Sequence, residues 1–441
     1  MSLGRKLNRK TLWVYVLAIL FAGCHHAQDI TGNWQGTLIV PHGTPLRIVL
    51  QFTRDDSGTL KPTFYSIDQG SEGYRAESIT MQDPTVKFVL SFVQASYEGK
   101  LSADGKSITG TWIQGSPLPL NFQKATKATA WPLDASPHTV QFVTVEPGVK
   151  LEVLDWGGTG RPLVFLAGLG NTAHVFDNFA PKFIGKYHVY GITRRGFGDS
   201  SAPTPNGHNY SSDRLGDDVL AVIDALNLQK PVLAGHSIAG EELSSIGSRH
   251  PEKVSGLIYL DAGFPYAFYD RVHGDPQLDM LDTRNKIEQL LPFDPSGQKQ
   301  PIEALLASLP QLEKDLQNEL KRMQAVPPPT TKFPLPPSTS PAFAIFNGLH
   351  KYTEIKAPCL AIFAVPHDPN SNDILPTDPA HHAAAVAADL ERTTNLSNAF
   401  AAGVPSAQVI RLPNANHYVF NSNEAEVLRA MNDFLDKLPQ P

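Results

Sequence analysis

Residues 232–240, Val-Leu-Ala-Gly-His-Ser-Ile-Ala-Gly, constrain the fold of this chain more than any other stretch. An apolar run of strand length ends in Gly235-His236-Ser237-Ile238-Ala239-Gly240 and passes directly into Glu241-Glu242-Leu243-Ser244-Ser245-Ile246, which reads as the first turns of a helix. That order is strand, sharp turn, helix, with Ser237 at the apex. A serine on so tight a turn carries strained backbone angles, and bulky neighbours two positions to either side would collide, so Gly235 and Ala239 fit the requirement for small residues. The geometry pushes a hydroxyl out beyond the edge of a sheet. A Gly-Ser turn with no chemical role would read the same locally, and the flanking sequence has to separate the two.

The chain is long enough for a large core: 441 residues, with 41% hydrophobic and 18% charged. Two or three domains are expected at that length. A net charge of -6 provides no basic footprint, which argues against a nucleic-acid partner. At the N-terminus, Arg5, Lys6, Arg9 and Lys10 precede an apolar run over 12–23 that is short for a membrane span and suited to a signal peptide. Leu20-Phe21-Ala22-Gly23-Cys24 resembles a bacterial lipoprotein signal, with Cys24 becoming the lipidated first residue after removal of 1–23. Ordinary cleavage after Ala27, removing 1–27, is the alternative. Either way export is expected, to a periplasmic or lipid-anchored location. Cys359 is then the remaining thiol, so no intrachain disulfide framework is expected. Its apolar surroundings read as a buried structural site.

From 28 to 124, short runs rich in β-branched and aromatic residues alternate with turn sequences such as Asp55-Asp56-Ser57-Gly58 and Ala103-Asp104-Gly105-Lys106. A small antiparallel β domain is expected, a sandwich or open barrel, with the Trp34 and Trp112 strands side by side. No metal-like cluster or paired-carboxylate motif stands out within it. Residues 125–138 read as a linker. The second domain, 139–441, opens with a hairpin over 140–155 and then alternates buried apolar runs with helical patterns, as a doubly wound, mostly parallel α/β sheet requires. Residues 264–351 interrupt that alternation and predict a mostly helical cap, with a helix over 301–323 and a proline-rich loop.

In such a sheet chemistry gathers at the carboxyl ends of the strands. After the apolar run 163–166 comes Ala167-Gly168-Leu169-Gly170-Asn171, where the N–H of Leu169 can join that of Ile238 to hold a developing oxyanion, an interaction worth roughly 3 kcal/mol per donor. A strand-to-helix turn needing glycine only for its angles is the alternative. His417, on the loop after the last strand, is placed to take the Ser237 proton, which a neutral hydroxyl needs to become an effective attacker. Two aspartates could orient that imidazole: Asp368, the preferred one, after the strand at 360–363, and Asp261 after the strand at 257–260, with Asp373 a distant third. If Asp368 serves, Asp261 reads as a capping or cap-anchoring residue.

Together these residues resemble the α/β-hydrolase fold over about 140–438. The resemblance rests on Gly-His-Ser-Ile-Ala-Gly, on Ala-Gly-Leu-Gly, and on Thr193-Arg194-Arg195-Gly196-Phe197-Gly198-Asp199-Ser200. The chain departs from the family pattern at Thr193, usually aspartate, at Ala239, usually glycine, and at Ala167, often histidine. Arg195 and Asp199 read as turn-fixing. A serine at the nucleophile position disfavours epoxide hydrolases and haloalkane dehalogenases, which share the fold. The resemblance implies a cofactor-free serine hydrolase acting on a small or medium carboxylic ester, or an amide. Rival readings are a C–C bond hydrolase or cofactor-free peroxidase on the same fold, or a binding protein without turnover.

Overall fold

Alternating and continuous apolar runs sort this chain into two sheets of different kinds. The computed structural model describes residues 29–39, 45–55, 58–67, 73–76, 78–82, 84–90, 95–114, 116–131, 136–291, 297–325, 338–369 and 379–439. The expected leader with Cys24, the proline-rich stretch 326–337 and Asp373 lie outside the described residues. Among the described residues, no helix is long and apolar enough to cross a membrane.

The first sheet is antiparallel and comprises β1 (Gly32–Leu38), β2 (Leu46–Arg54), β3 (Leu60–Ser66), β4 (Gly73–Arg75), β5 (Ser78–Gln82), β6 (Thr85–Leu90), β7 (Ala95–Leu101), β8 (Ser107–Gln114) and β9 (Ser116–Lys124). Its order is β4-β3-β2-β1-β9-β8-β7-β6-β5, and the sheet curls until β3 approaches β5. The period-2 pattern gathers Trp34, Leu50, Phe88, Tyr97, Trp112 and Phe122 into one core. One expectation is corrected here: the Trp34 and Trp112 strands are not neighbours, because β9 lies between β1 and β8. Pro117 and Pro119 disguise β9 as loop in the sequence. Among the described residues, β1 pairs with β9 at Gln123 and Lys124, away from the two prolines.

The second sheet holds β10 (Thr139–Glu146), β11 (Val149–Gly158), β12 (Pro162–Leu166), β13 (His188–Ile192), β14 (Val232–His236), β15 (Gly256–Leu260), β16 (Cys359–Ala364) and β17 (Ala407–Leu412), in the order β10-β11-β13-β12-β14-β15-β16-β17. The β10–β11 hairpin joins β13 antiparallel, and every pairing from β13 to β17 is parallel. Packed around it are α1 (Ser212–Ala225), α2 (Gly240–Arg249), α3 (Pro276–Gln289), α4 (Lys299–Ala325), α5 (Pro341–Asn347), α6 (Pro379–Gly403), α7 (Val419–Ser422) and α8 (Glu424–Leu435). The central strands are buried on both faces: Phe165, Ala234, Ile258 and Leu360 belong to one apolar cluster, and Val164, Leu233, Leu257 and Ala361 to the other. Cys359 is a free, fully buried thiol in β16, where burial pushes its pKa up to about 12.

This topology decides where a site can form. From β12 the chain moves to β13 on one side and then returns to β14 on the other, so the loops after β12 and β14 diverge at a crevice, the usual place for ligands in such sheets. The three helices α3, α4 and α5 fall between β15 and β16 as the expected cap insertion.

The crevice also depends on close backbone packing. A Cβ on Gly240, at the start of α2, would lie 2.1 Å from the Ala262 carbonyl oxygen, and one on Gly235 would lie 3.0 Å from the Ala239 Cβ. Ala239 therefore fits at the turn because Gly235 has no side chain. Gly240→Ala should lower stability by about 1–3 kcal/mol, the usual cost of overpacking a tight site. Chemical denaturation measures this, and a midpoint equal to wild type would show that the approach is looser than described.

Candidate active site

Ser237 follows β14 directly and has φ +54, a left-handed backbone angle that serine adopts only where its surroundings impose it. The residue is half-buried. Beside it, the buried His236 ring donates from Nε2 to the His417 carbonyl at 3.2 Å, and its plane packs against His417 and Tyr418 at 4.6 Å between centroids. Burial, then the neighbouring His417, holds the His236 pKa well below 6.5. A neutral His236 thus positions the His417 loop by contact and one hydrogen bond.

The carboxylate facing His417 is Asp261. Its Oδ2 accepts from His417 Nδ1 at 2.6 Å and from His367 Nε2 at 2.8 Å, while its Oδ1 accepts from the Ala364 N–H at 3.0 Å. Burial alone would raise its pKa, but hydrogen bonds from His367 and His417 hold it far below the usual carboxylate range. Asp261, too, has left-handed backbone geometry, at φ +46. His367 is braced in turn by Asp389 of α6, 3.1 Å from its Nδ1. Burial would lower the His367 pKa, yet Asp261 and Asp389 raise it above 6.5.

Asp368, the preferred partner from sequence, is not the residue bonded to His417. Its backbone N–H donates to Ala415 at 2.9 Å, and His367 forms a parallel bridge with Ala415. From this loop it is His367 that reaches Asp261. The loop after β16 therefore supplies a histidine, and the loop after β15 supplies the carboxylate.

The β12 loop carrying Leu169 is held by Arg194, which donates to the Gly168 carbonyl at 3.2 Å and the Ala167 carbonyl at 2.9 Å. Arg194 is itself fixed by a buried two-point pair with Glu242 at 2.6 and 2.7 Å. Ile238, the other candidate oxyanion donor, is the first residue after Ser237. The departure at Thr193 is compensated from another strand: its hydroxyl donates to buried Glu152 of β11 at 2.7 Å and accepts from the Ala173 N–H at 3.0 Å. Arg195 pairs with Asp218 and Glu146. Asp199 instead forms an exposed pair with Arg75 of the first sheet at 2.7 Å.

Two further residues complete the surroundings. Tyr266 engages Ser237 through its hydroxyl; burial, then Glu241 and Asp261, pushes its pKa far above 10, so it stays a neutral hydrogen-bonding group. Leu169, Tyr266 and buried Ile238 share an apolar cluster with Leu278 and Leu281 of α3 and Ile345 of α5, which brings the cap against the serine turn. His367, Asp389, Tyr266, Arg194 and Glu242 were not singled out by sequence. The doubled Glu241-Glu242 after the serine turn and the imidazole beside Asp368 were the available signals, whereas nothing local marks Asp389.

A sequence profile of the alpha/beta hydrolase fold matches residues 161–423. The chain belongs to this family. It is 36% identical over 128 residues to the AB hydrolase superfamily protein YisY of Bacillus subtilis, covering 28% of this chain and 46% of that one. It is 30% identical over 118 residues to a fluoroacetate dehalogenase of a Burkholderia species, covering 26% and 39%. The chain thus spans less than half the length of the curated relatives it matches. Among solved structures, a malate-bound thermophilic esterase from Thermogutta terrifontis is similar over 68% of this chain and 99% of that one, with 19% identity and a TM-score of 0.42.

Glu241 tests the electrostatics of this family member. Its side chain is fully buried, accepts from Ser212 Oγ at 2.6 Å through Oε2, and has no hydrogen-bond partner at Oε1 among the described residues. Burial, then Glu242, pushes its pKa up from 4.5 to about 8. The folded chain therefore holds a proton that the unfolded chain releases, and stability contributed below pH 4.5 is lost as pH rises towards 8. Glu241→Gln, which cannot ionise, should match wild type near pH 5 and exceed it in melting temperature near pH 8. An equal difference at both values would contradict the raised pKa.

Proposed function

We propose that this chain is an exported serine hydrolase that cleaves small or medium carboxylic esters through an acyl-enzyme on Ser237. The observation that carries the reading is the left-handed Ser237 at the end of β14, in a site where Asp261 holds His417 by a 2.6 Å hydrogen bond. Ionised Asp261 can only accept, so Nδ1 of His417 carries the proton and Nε2 is left basic. Ser237 Oγ attacks the ester carbonyl while Nε2 removes its proton. The negative charge on the former carbonyl oxygen is received by the N–H groups of Leu169 and Ile238. Collapse expels the alcohol, which takes the proton back from His417, and water repeats the sequence to release the acid. Atoms and charge balance without a cofactor.

The substrate class follows from what surrounds the turn. Leu169, Ile238, Tyr266 and the cap side chains offer an apolar wall suited to a short or medium acyl chain. A serine rather than an aspartate as nucleophile favours acyl transfer over the dehalogenation and epoxide opening named for several relatives. The basic and apolar N-terminal pattern supports export, with Cys24 as the attachment point if the leader is cut before it.

A fluorophosphonate probe should label wild type and leave Ser237→Ala unlabelled, and short-chain aryl esters should be hydrolysed by the former only. Asp261→Asn should lower kcat by about 10³–10⁴-fold, the effect of holding the imidazole in the wrong tautomer. Asp368→Asn should stay within about threefold of wild type, a small difference on the scale of that loss. Labelling of Ser237→Ala as strong as wild type would overturn the nucleophile. Loss of activity confined to Asp368→Asn would overturn the acid.

A further inference from the structure

A second group of polar side chains, remote in sequence from the serine turn, lies where the linker enters the second sheet. His138 immediately precedes β10, His174 lies in the 3-10 turn Ala173–Phe176, and Asp177 caps that turn. One donor atom from each lies within 4.8 Å of the others. His174 Nδ1 is 3.0 Å from Asp177 Oδ2, His138 Nδ1 is 3.4 Å from Asp177 Oδ1, and the two imidazole centroids are 5.1 Å apart.

Two independent observations point to a ligand. The His138 side chain is only 4% exposed, yet its Nδ1 has no hydrogen-bond partner among the described residues. A buried ring nitrogen directed at a carboxylate without bonding it is costly unless something else completes its coordination. In addition, Asp177 Oδ1 accepts from Ser136 Oγ and from Trp156 Nε1, each at 3.0 Å, and these donors fix the carboxylate in the way that outer residues orient metal ligands. The group also borders a cleft of about 750 Å³ lined by both sheets, including Arg75 and Tyr65 on one side and Glu152, Thr172 and the two histidines on the other. Solvent in that cleft can supply a remaining coordination position.

We propose that His138, His174 and Asp177 bind one divalent transition-metal ion of the zinc class, clasping the end of the linker to the second sheet at the floor of the interdomain cleft. Two imidazoles and one carboxylate suit zinc, with water as fourth ligand, whereas calcium and magnesium favour all-oxygen shells. The clasp is independent of the reaction proposed for Ser237. Asp261, His367 and His417 form another metal-capable group, so the test must separate the two.

The experiment uses the full-length chain, freed of metal by chelation, then loaded with zinc sulfate and desalted for elemental analysis. A parallel sample receives cobalt(II), whose visible absorption reports nitrogen and oxygen ligation. Wild type and His367→Ala should each retain about one equivalent more zinc than His138→Ala, His138→Gln and His174→Ala, and only the first two should gain melting temperature on adding zinc. The cobalt spectrum should be lost with His138 or His174, and uptake should fall as acid protonates the imidazoles. Using both Ala and Gln at position 138, with circular dichroism on each, separates lost binding from lost folding. Equal uptake by wild type and folded His138 variants overturns the site, as does loss confined to His367→Ala.

Discussion

One carboxylate oxygen organises the carboxyl edge of the second sheet. Oδ2 of Asp261 receives hydrogen bonds from both His417 and His367, while Oδ1 is tied to the Ala364 backbone. Three loops, those after β15, β16 and β17, meet on that single side chain. A buried carboxylate is stable as an anion only when its lone pairs are met by donors, and here they are. His367 and its own partner Asp389 extend the chain of contacts to α6. Loss of the Asp261 charge would therefore release two histidines together.

The remainder of the site depends on how closely the strands let the loops approach. Strand order places the β12 and β14 loops at the crevice, and glycine at 235 and 240 removes the side chains that would keep the turn from its neighbours. Arg194 then couples the two loops: it holds the Ala167 and Gly168 carbonyls with one face while pairing with Glu242 on α2, one turn beyond Ser237. A buried pair of this kind adds little net stability compared with an apolar replacement. Its value is geometric, because it sets the orientation of the loop that carries the Leu169 N–H.

Local patterns made the sheet, the serine turn and the cap insertion legible, because each is written in contiguous residues: apolar runs, small residues around Ser237, and a break in strand–helix alternation. The helix expected at 301–323 corresponds to α4. Helix α6 has an alanine-rich sequence with high helix propensity but no clear apolar stripe, and its contribution of Asp389 depends on tertiary packing alone. The identity of the carboxylate beside His417 was illegible for a related reason. Asp261 and Asp368 both follow parallel strands, and only the tertiary contacts of Asp261 with His417 and His367 single it out. Compensation at Thr193 is equally nonlocal, since Glu152 comes from a strand that sequence reading treated only as half of a hairpin.

Proton NMR of the imidazole N–H region tests the central role of Asp261 most directly. Strong hydrogen bonds from His417 Nδ1 and His367 Nε2 to one buried carboxylate predict a far-downfield resonance for each of these two N–H groups in wild type and in Asp368→Asn, apart from that of His367 Nδ1 facing Asp389. Both should vanish in Asp261→Asn, and one should persist in His367→Ala. Survival of those two resonances in Asp261→Asn, or their disappearance in a folded Asp368→Asn, would contradict the account.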